Sequence, residues 1–292
     1  MKGNLAAAAR RADKAIAVFD SGMGGLTVLR ELRRAMPSER LVYFGDTARL
    51  PYGSKSKEAV TRFSLEIARF LLRRDIKMLV VACNSASALA LPALEAALDV
   101  PVFGVIGPAV RAAAALARGG AAPGAHGAER SRGAARPGIV GVIGTEATVR
   151  SGAYPRELSA IGCRRIAVRA APLFVPLVEE GWWDHPVTRS VAREYLAPLK
   201  KRKLRVLILG CTHYPMLKKT LRVAAGSRVL LVDSGVETAR EVRMWLRERG
   251  LMRKGRGSEE FFVSDAPERF KRMARLFLGR KVPKVRLARV GV

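Results

Sequence analysis

The stretch Leu207-Ile208-Leu209-Gly210-Cys211-Thr212-His213-Tyr214-Pro215 carries an apolar run and a glycine straight into a thiol, a hydroxyl and an imidazole. The segment that follows, Met216-Leu217-Lys218-Lys219-Thr220-Leu221, is amphipathic and begins behind a proline, so the whole reads as buried strand, turn and helix. In an open parallel sheet the carboxyl end of such a strand faces the ligand crevice, which presents the three polar side chains there together. A buried structural thiol is the plainer reading of a free cysteine, and spacing alone does not separate the two. Upstream, Met78-Leu79-Val80-Val81-Ala82-Cys83-Asn84-Ser85-Ala86-Ser87 repeats the design. The repetition turns the balance toward function, because two thiols then occupy equivalent positions in two halves.

Working outward, Ala15-Ile16-Ala17-Val18-Phe19 reads as a first buried strand. It ends at Asp20-Ser21-Gly22-Met23-Gly24-Gly25, ahead of a helix from Leu26 to about Met36 that Pro37 stops. The glycines half match a dinucleotide fingerprint, but the third is missing and Asp20 would set a carboxylate where pyrophosphate should lie. A nucleotide site is therefore rejected. A strand-end carboxylate suits a substrate ammonium or a thiol whose proton must be managed, and glycine-freed N–H groups suit a substrate carboxylate. A helix-capping Asp or Ser fits the same residues.

The strand Leu41 to Phe44 empties into the polar loop Gly45 to Ser54, ahead of a helix around Glu58 to Arg73. After the Cys83 strand come a helix broken near Pro92 and a strand from Pro101 to Ile106, then Ile139 to Gly144, whose exit from Thr145 to Tyr154 is crowded with hydroxyls. Cys163 precedes the strand Arg165 to Arg169 at its amino end and is read as structural. Glu179 closes the apolar segment Pro172 to Val178, either as a side chain entering the crevice or as an exposed helix end. Val229 to Gly235 repeats the passage from apolar run to Asp-Ser-Gly, and Phe261 to Ser264, helix 267–278 and Val285 to Leu287 return to finish the first sheet.

Residues 1–14 are expected to be disordered, and the Gly/Ala/Arg-rich stretch at about 119–138 cannot bury a core and reads as a mobile insertion. His126 within it is a poor catalytic candidate. With 292 residues and 49% hydrophobic content, the chain suits two α/β units, each with its own core. The boundaries expected are 15–108 plus 234–292 for the first and 109–233 for the second. No apolar run is long and clean enough for a membrane span or a secretory signal. Three cysteines fit a reducing cytosol, and with no Cys-x-x-Cys pair and scattered histidines no metal site is expected.

The formal charge of +28 raises nucleic acid as a partner. The basic tail, however, sets Phe270, Met273, Leu276 and Phe277 at helical spacing, so its cations read as the solvated face of an amphipathic helix. Without a platform of exposed aromatics, any nucleic-acid contact is expected to be non-specific.

Four segments in order, Phe19-Asp20-Ser21-Gly22-Met23-Gly24-Gly25, Pro51-Tyr52-Gly53-Ser54, Cys83-Asn84-Ser85-Ala86 and Gly210-Cys211-Thr212-His213-Tyr214-Pro215, make the chain similar to the glutamate racemase family of the aspartate/glutamate racemase superfamily. The match runs from about residue 15 to 290. The resemblance implies two doubly wound, flavodoxin-like parallel-sheet domains related by a pseudo-twofold, with the active site between them. It implies that Cys83 and Cys211 are the catalytic acid/base pair. Asp20, Ser21, Tyr52, Gly53, Asn84, Ser85, Thr212 and His213 then bind substrate or serve the thiols, and Glu179 assists. It also implies glutamate as substrate, no cofactor, D-glutamate supply for peptidoglycan in the cytoplasm, and a homodimer. Ser85 stands where the family usually has threonine and keeps the hydroxyl. The insertion and the extreme basicity are not family features.

The chemistry agrees with the resemblance. Inverting an α-carbon requires acid/base groups on both faces of the substrate, and a thiol near pKa ~8.5 serves in either form after modest tuning. Two rivals stay open: racemisation of aspartate or another acidic compound, since pocket shape sets side-chain length, and a binding protein for an anionic partner built on the same fold.

Overall fold

The structure, a computed structural model, describes residues 10–120, 138–282 and 284–291. The expected insertion therefore lies outside the described residues, apart from its edges. In chain order the first part of the molecule contains β1 (Ala15–Asp20), α1 (Leu26–Ala35), β2 (Arg40–Gly45), α2 (Lys57–Leu72), β3 (Ile76–Val81), α3 (Asn84–Leu89), α4 (Leu91–Ala97) and β4 (Val102–Gly104). Next come α5 (Ile106–Ala117), β5 (Ile139–Gly144), α6 (Glu146–Arg150), α7 (Ala153–Ala160), β6 (Ile166–Ala170), α8 (Phe174–Glu179), α9 (Pro186–Lys200), β7 (Leu204–Gly210), α10 (Lys218–Ala225) and β8 (Leu230–Asp233). The chain closes with α11 (Ser234–Glu248), β9 (Ser258–Val263), α12 (Pro267–Leu278) and β10 (Val285–Leu287).

The strands form two wholly parallel sheets, in the orders β10-β9-β2-β1-β3-β4 and β6-β5-β7-β8. Beneath the β9–β10 extension the two have one topology, since β2-β1-β3-β4 and β6-β5-β7-β8 are the same flavodoxin-like order. In each the winding reverses between the first strand and the third, and that switch point is where an open parallel sheet leaves a crevice. Cys83 follows β3 and Cys211 follows β7, so the thiols stand at equivalent strand exits.

Burial on both faces explains the strand sequences: β1, β3 and β5 have no exposed residue, as central parallel strands with helices on either side require. The helices bury one stripe each. In α1, Leu26, Val28, Leu29 and Leu32 face inward while Arg33 and Arg34 close its last turn, favourably placed for the helix dipole. α2 starts on Ser56, whose Oγ accepts the Ala59 N–H at 3.2 Å. α11 starts on Asp233, which accepts the Gly235 and Val236 N–H groups. α5 covers the second sheet through Ile106, Ala109, Val110 and Ala113 against Val140, Val142, Val206 and Ile208. α11 packs against both α1 and α5 and joins the halves.

Three expectations need correction. Residues 10–13 form a helical turn rather than a disordered tail, because the Ala12 carbonyl accepts from the buried Lys77 ammonium at 2.8 Å and the Asp13 carboxylate pairs with Arg253 at 3.3 Å. The strand expected from Pro101 to Ile106 is only Val102–Gly104 long. Its neighbour Val105 donates its N–H to Ser87 Oγ at 3.2 Å, which draws the chain off the sheet and into α5. On α12, Phe270, Met273 and Phe277 are buried as expected, but Leu276 lies at the stripe's outer edge and is exposed.

Candidate active site

The carboxyl ends of β1, β2, β3, β5, β6 and β7 converge on a cavity of about 220 Å³. Of the residues singled out from the sequence, Ser21, Tyr52, Gly53, Cys83, Asn84, Ser85, Glu179, Cys211, Thr212 and His213 line it. Asp20 does not. It is fully buried just behind the wall, where its carboxylate accepts the Gly22 N–H at 3.0 Å and faces the Thr212 hydroxyl at 3.4 Å. Burial raises its pKa above the ordinary carboxylate value, and the charge of His213 works against that rise.

Cys83 is nearly buried, with its Sγ 3.7 Å from Ser21 Oγ. Burial, reinforced by the Asp20 carboxylate, pushes its thiol up to about 12. Cys211 has different company. Its Sγ lies 3.8 Å from His213 Nδ1, and His213 Nε2 lies 3.3 Å from Glu179 Oε1. Burial alone would lower the imidazolium pKa, but its hydrogen bonds to Cys211 and Glu179 outweigh burial and raise it to about 10. The shift favours the imidazolium, whose two ring nitrogens face the thiol sulfur and the carboxylate. Glu179 is held low: burial pushes its pKa up, and the His213 hydrogen bond and charge pull it further down. Its second oxygen accepts from Arg269 of α12 at 3.3 Å, so an arginine of one half braces the acid of the other.

Asn84 is buried, with Oδ1 accepting from the Tyr154 hydroxyl at 2.7 Å. Its Nδ2 has no hydrogen-bond partner among the described residues. A buried donor without a partner is costly unless a ligand comes to meet it. Ser85 reaches across to the second half, its Oγ 2.9 Å from Thr145 Oγ1 and 3.3 Å from Thr148 Oγ1. Tyr52 donates its hydroxyl to the buried Asp46, which also accepts from Arg49 at 2.7 Å and Ser264 at 2.8 Å. That network fixes the loop carrying Tyr52 and Gly53.

At the hydroxyl-rich β5 exit, Thr145 and Glu146 also line the cavity. Tyr154 and Arg269 gave no local signal. Cys163 lies outside the cavity, half-buried beside β6. Among the described residues no group of three or more His, Cys, Asp and Glu is arranged to hold a metal ion, and no helix is long and apolar enough to cross a membrane.

The halves meet closely around this cavity. Thr27 Oγ1 donates to the Thr212 carbonyl at 2.8 Å, tying α1 to the turn that carries Cys211. Residues 24–242 match the family model for Asp/Glu/hydantoin racemases. A glutamate racemase of Geobacter metallireducens is 51% identical over 92% of this chain and 94% of its own length. A glutamate racemase isoform of Bacillus anthracis superposes with a TM-score of 0.85 at 34% identity, covering 94% of this chain and 97% of that one. The Francisella tularensis glutamate racemase, solved with D-glutamate, superposes with a TM-score of 0.82 at 31% identity, covering 95% and 98%. With two parallel-sheet halves, a thiol at the matching strand exit of each, and this likeness along nearly the whole chain, the protein belongs to the Asp/Glu/hydantoin racemase family.

Proposed function

We propose that the protein interconverts L- and D-glutamate by two-base proton transfer, with Cys83 and Cys211 acting on opposite faces of the α-carbon. The observation that carries this reading is the pair of thiols at equivalent strand exits opening on one cavity. From L-glutamate, Cys211 as thiolate takes the α-proton, and the Cys83 thiol gives its own proton to the other face. From D-glutamate the two exchange roles. In each direction one S–H bond forms as the other breaks, so the enzyme is left with its proton on the opposite sulfur.

His213, between Cys211 and Glu179, manages the Cys211 proton, while Asp20 and Ser21 serve Cys83. Asn84 Nδ2 offers the donor a substrate carboxylate needs, and Ser85, Thr212, Tyr52 and Gly53 complete the binding wall. Negative charge developing at the α-carbon is stabilised by these fixed donors. No step calls for a cofactor or metal.

The same reading includes the division into 15–108 with 234–292 and 109–233, a homodimer, a cytoplasmic location and D-glutamate supply for peptidoglycan. The charge of +28 supports only non-specific, salt-sensitive contact with nucleic acid. A coupled assay of purified protein with each enantiomer of glutamate and aspartate, without added cofactor, tests the activity. Turnover of glutamate in both directions is expected, and turnover of aspartate alone would reassign the substrate.

A further inference from the structure

Tyr154, near the start of α7, spans the cleft beneath the two thiol-bearing turns. Its ring is buried against Gly210, the residue before Cys211: a Cβ added there would lie 3.0 Å from the ring's Cε2 and 2.7 Å from the Ile143 carbonyl oxygen. Its hydroxyl crosses to Asn84, the residue after Cys83, and donates to Oδ1 at 2.7 Å. That is the only hydrogen bond the hydroxyl makes among the described residues, and burial holds the phenol's pKa well above its ordinary value, so the group remains a donor throughout the working range. An amide can be turned either way round, and a protonated phenol with no other acceptor decides between the two orientations. Turned the other way, Nδ2 would meet the phenol and the phenolic proton would have no acceptor.

We propose that Tyr154 is a positioning residue for the reaction: by donating to Asn84 Oδ1 it holds the amide with Nδ2 turned away from the phenol and left free to donate to a carboxylate oxygen of the substrate. The proposal rests on the racemase reading above. Three observations carry it: the cross-cleft hydrogen bond, a ring held in place by Gly210, and the unpartnered Nδ2 of a cavity-lining asparagine. Tyr154 touches no reacting atom in this account and acts through Asn84 alone.

The test measures kcat and KM for both glutamate enantiomers in the wild type, Tyr154→Phe, Asn84→Ala, the double variant and Asn84→Asp, with thermal unfolding of each. Tyr154→Phe keeps the ring and is expected to raise KM about tenfold, the weight of one aligned hydrogen bond, with a smaller change in kcat. The double variant should be no worse than Asn84→Ala alone, since the phenol acts only through the amide. Asn84→Asp still accepts from Tyr154 but has no Nδ2 donor, so its KM should rise at least as far, and it decides the matter if Tyr154→Phe fails to fold. A wild-type KM in Tyr154→Phe or in Asn84→Asp would overturn the proposal, as would losses that multiply in the double variant whatever the melting temperatures. Wild-type protein that racemises glutamate beside an unimpaired Tyr154→Phe would defeat this proposal alone. Wild-type protein without glutamate racemisation would defeat the functional reading together with it.

Discussion

Gly24 and Thr212 meet across the cleft so closely that a Cβ on Gly24 would lie 2.3 Å from the Thr212 hydroxyl, and 2.5 Å from Nδ1 of the neighbouring His213. The first βα turn of one half is thus seated directly on the residues that follow Cys211 in the other. Gly24→Ala should therefore part the halves or displace His213 while leaving each sheet intact. We expect kcat/KM to fall about 100-fold, the usual result of a misplacement near 1 Å, with little change in circular dichroism. Activity near that of the wild type would mean that the cleft tolerates a wider spacing.

Replacing one thiol should stop both directions. The enantiomers of glutamate are equal in free energy, so kcat/KM for the two must stay equal in every variant. Cys83→Ser and Cys211→Ser are each expected to lose about 10³-fold from the acid/base contribution, while Cys163→Ser, outside the cavity, should lose little. In heavy water the wild type should release inverted product carrying solvent deuterium at the α-carbon, with little label in recovered substrate at early times. Early product without deuterium would rule out the two-base assignment.

The two carboxylates near the thiols should act with the same sign, each raising the pKa of its neighbour. Asp20 raises the Cys83 pKa, second only to burial, so Asp20→Asn should move the pH midpoint of Cys83 alkylation down from about 12. It should remain above the ordinary thiol value, because burial persists in the variant. An upward or absent shift would remove Asp20 from its role beside Cys83.

Glu179 likewise favours the protonated form of its neighbour, here the cationic ring of His213. A raised folded-state pKa means that the stabilising contacts of the imidazolium are fully present below pH 6.5 and are lost as pH rises through about 10. Glu179→Gln should pull the His213 midpoint down by about one unit or more, so the loss begins at lower pH. An NMR titration of the imidazole proton reads this directly, and an unchanged midpoint would show that the pair is not coupled.

Far from the cavity, Lys77 and Glu39 form a fully buried ion pair at 2.7 Å, and the ammonium is also held by the carbonyls of Ala12 and Leu251. Burial lowers the Lys77 pKa, with Glu39 opposing that fall. Glu39→Gln would leave the cation without its counter-charge, an effect worth about 3–5 kcal/mol in buried pairs. Urea denaturation should show that loss with catalysis by the remaining folded protein unchanged.

Much of this molecule is legible from local pattern. Apolar runs ending at Asp20, Cys83, Thr145 and Cys211 mark the central strands, because a parallel strand covered on both faces is mostly apolar through its centre, with Lys77 and Arg205 confined to the strand starts. The repeated strand–cysteine–helix design then locates both thiols at carboxyl ends, and with them the crevice. Burial at the β4 exit was less legible, since the hydrogen bond from Val105 to Ser87 that ends the strand joins residues on separate elements.

What the sequence by itself determined was therefore which residues could stand at the strand exits, through hydrophobic period and turn chemistry. Only the tertiary structure decided how they are paired. Glu179 meets His213, Tyr154 meets Asn84, Arg269 meets Glu179 and Gly24 meets Thr212, each across tens of residues or more of intervening chain. Local periodicity records whether a side chain is buried, but the partner it meets depends on how each sheet is wound, as for Glu179 and His213, and on how the two sheets are docked, as for the other three pairs. That docking is set by the packing of α1, α5 and α11 between them, whereas the asymmetry of the two thiols, one beside a carboxylate and one beside an imidazole, is built within each half, where winding brings Asp20 to Cys83 and His213 to Cys211.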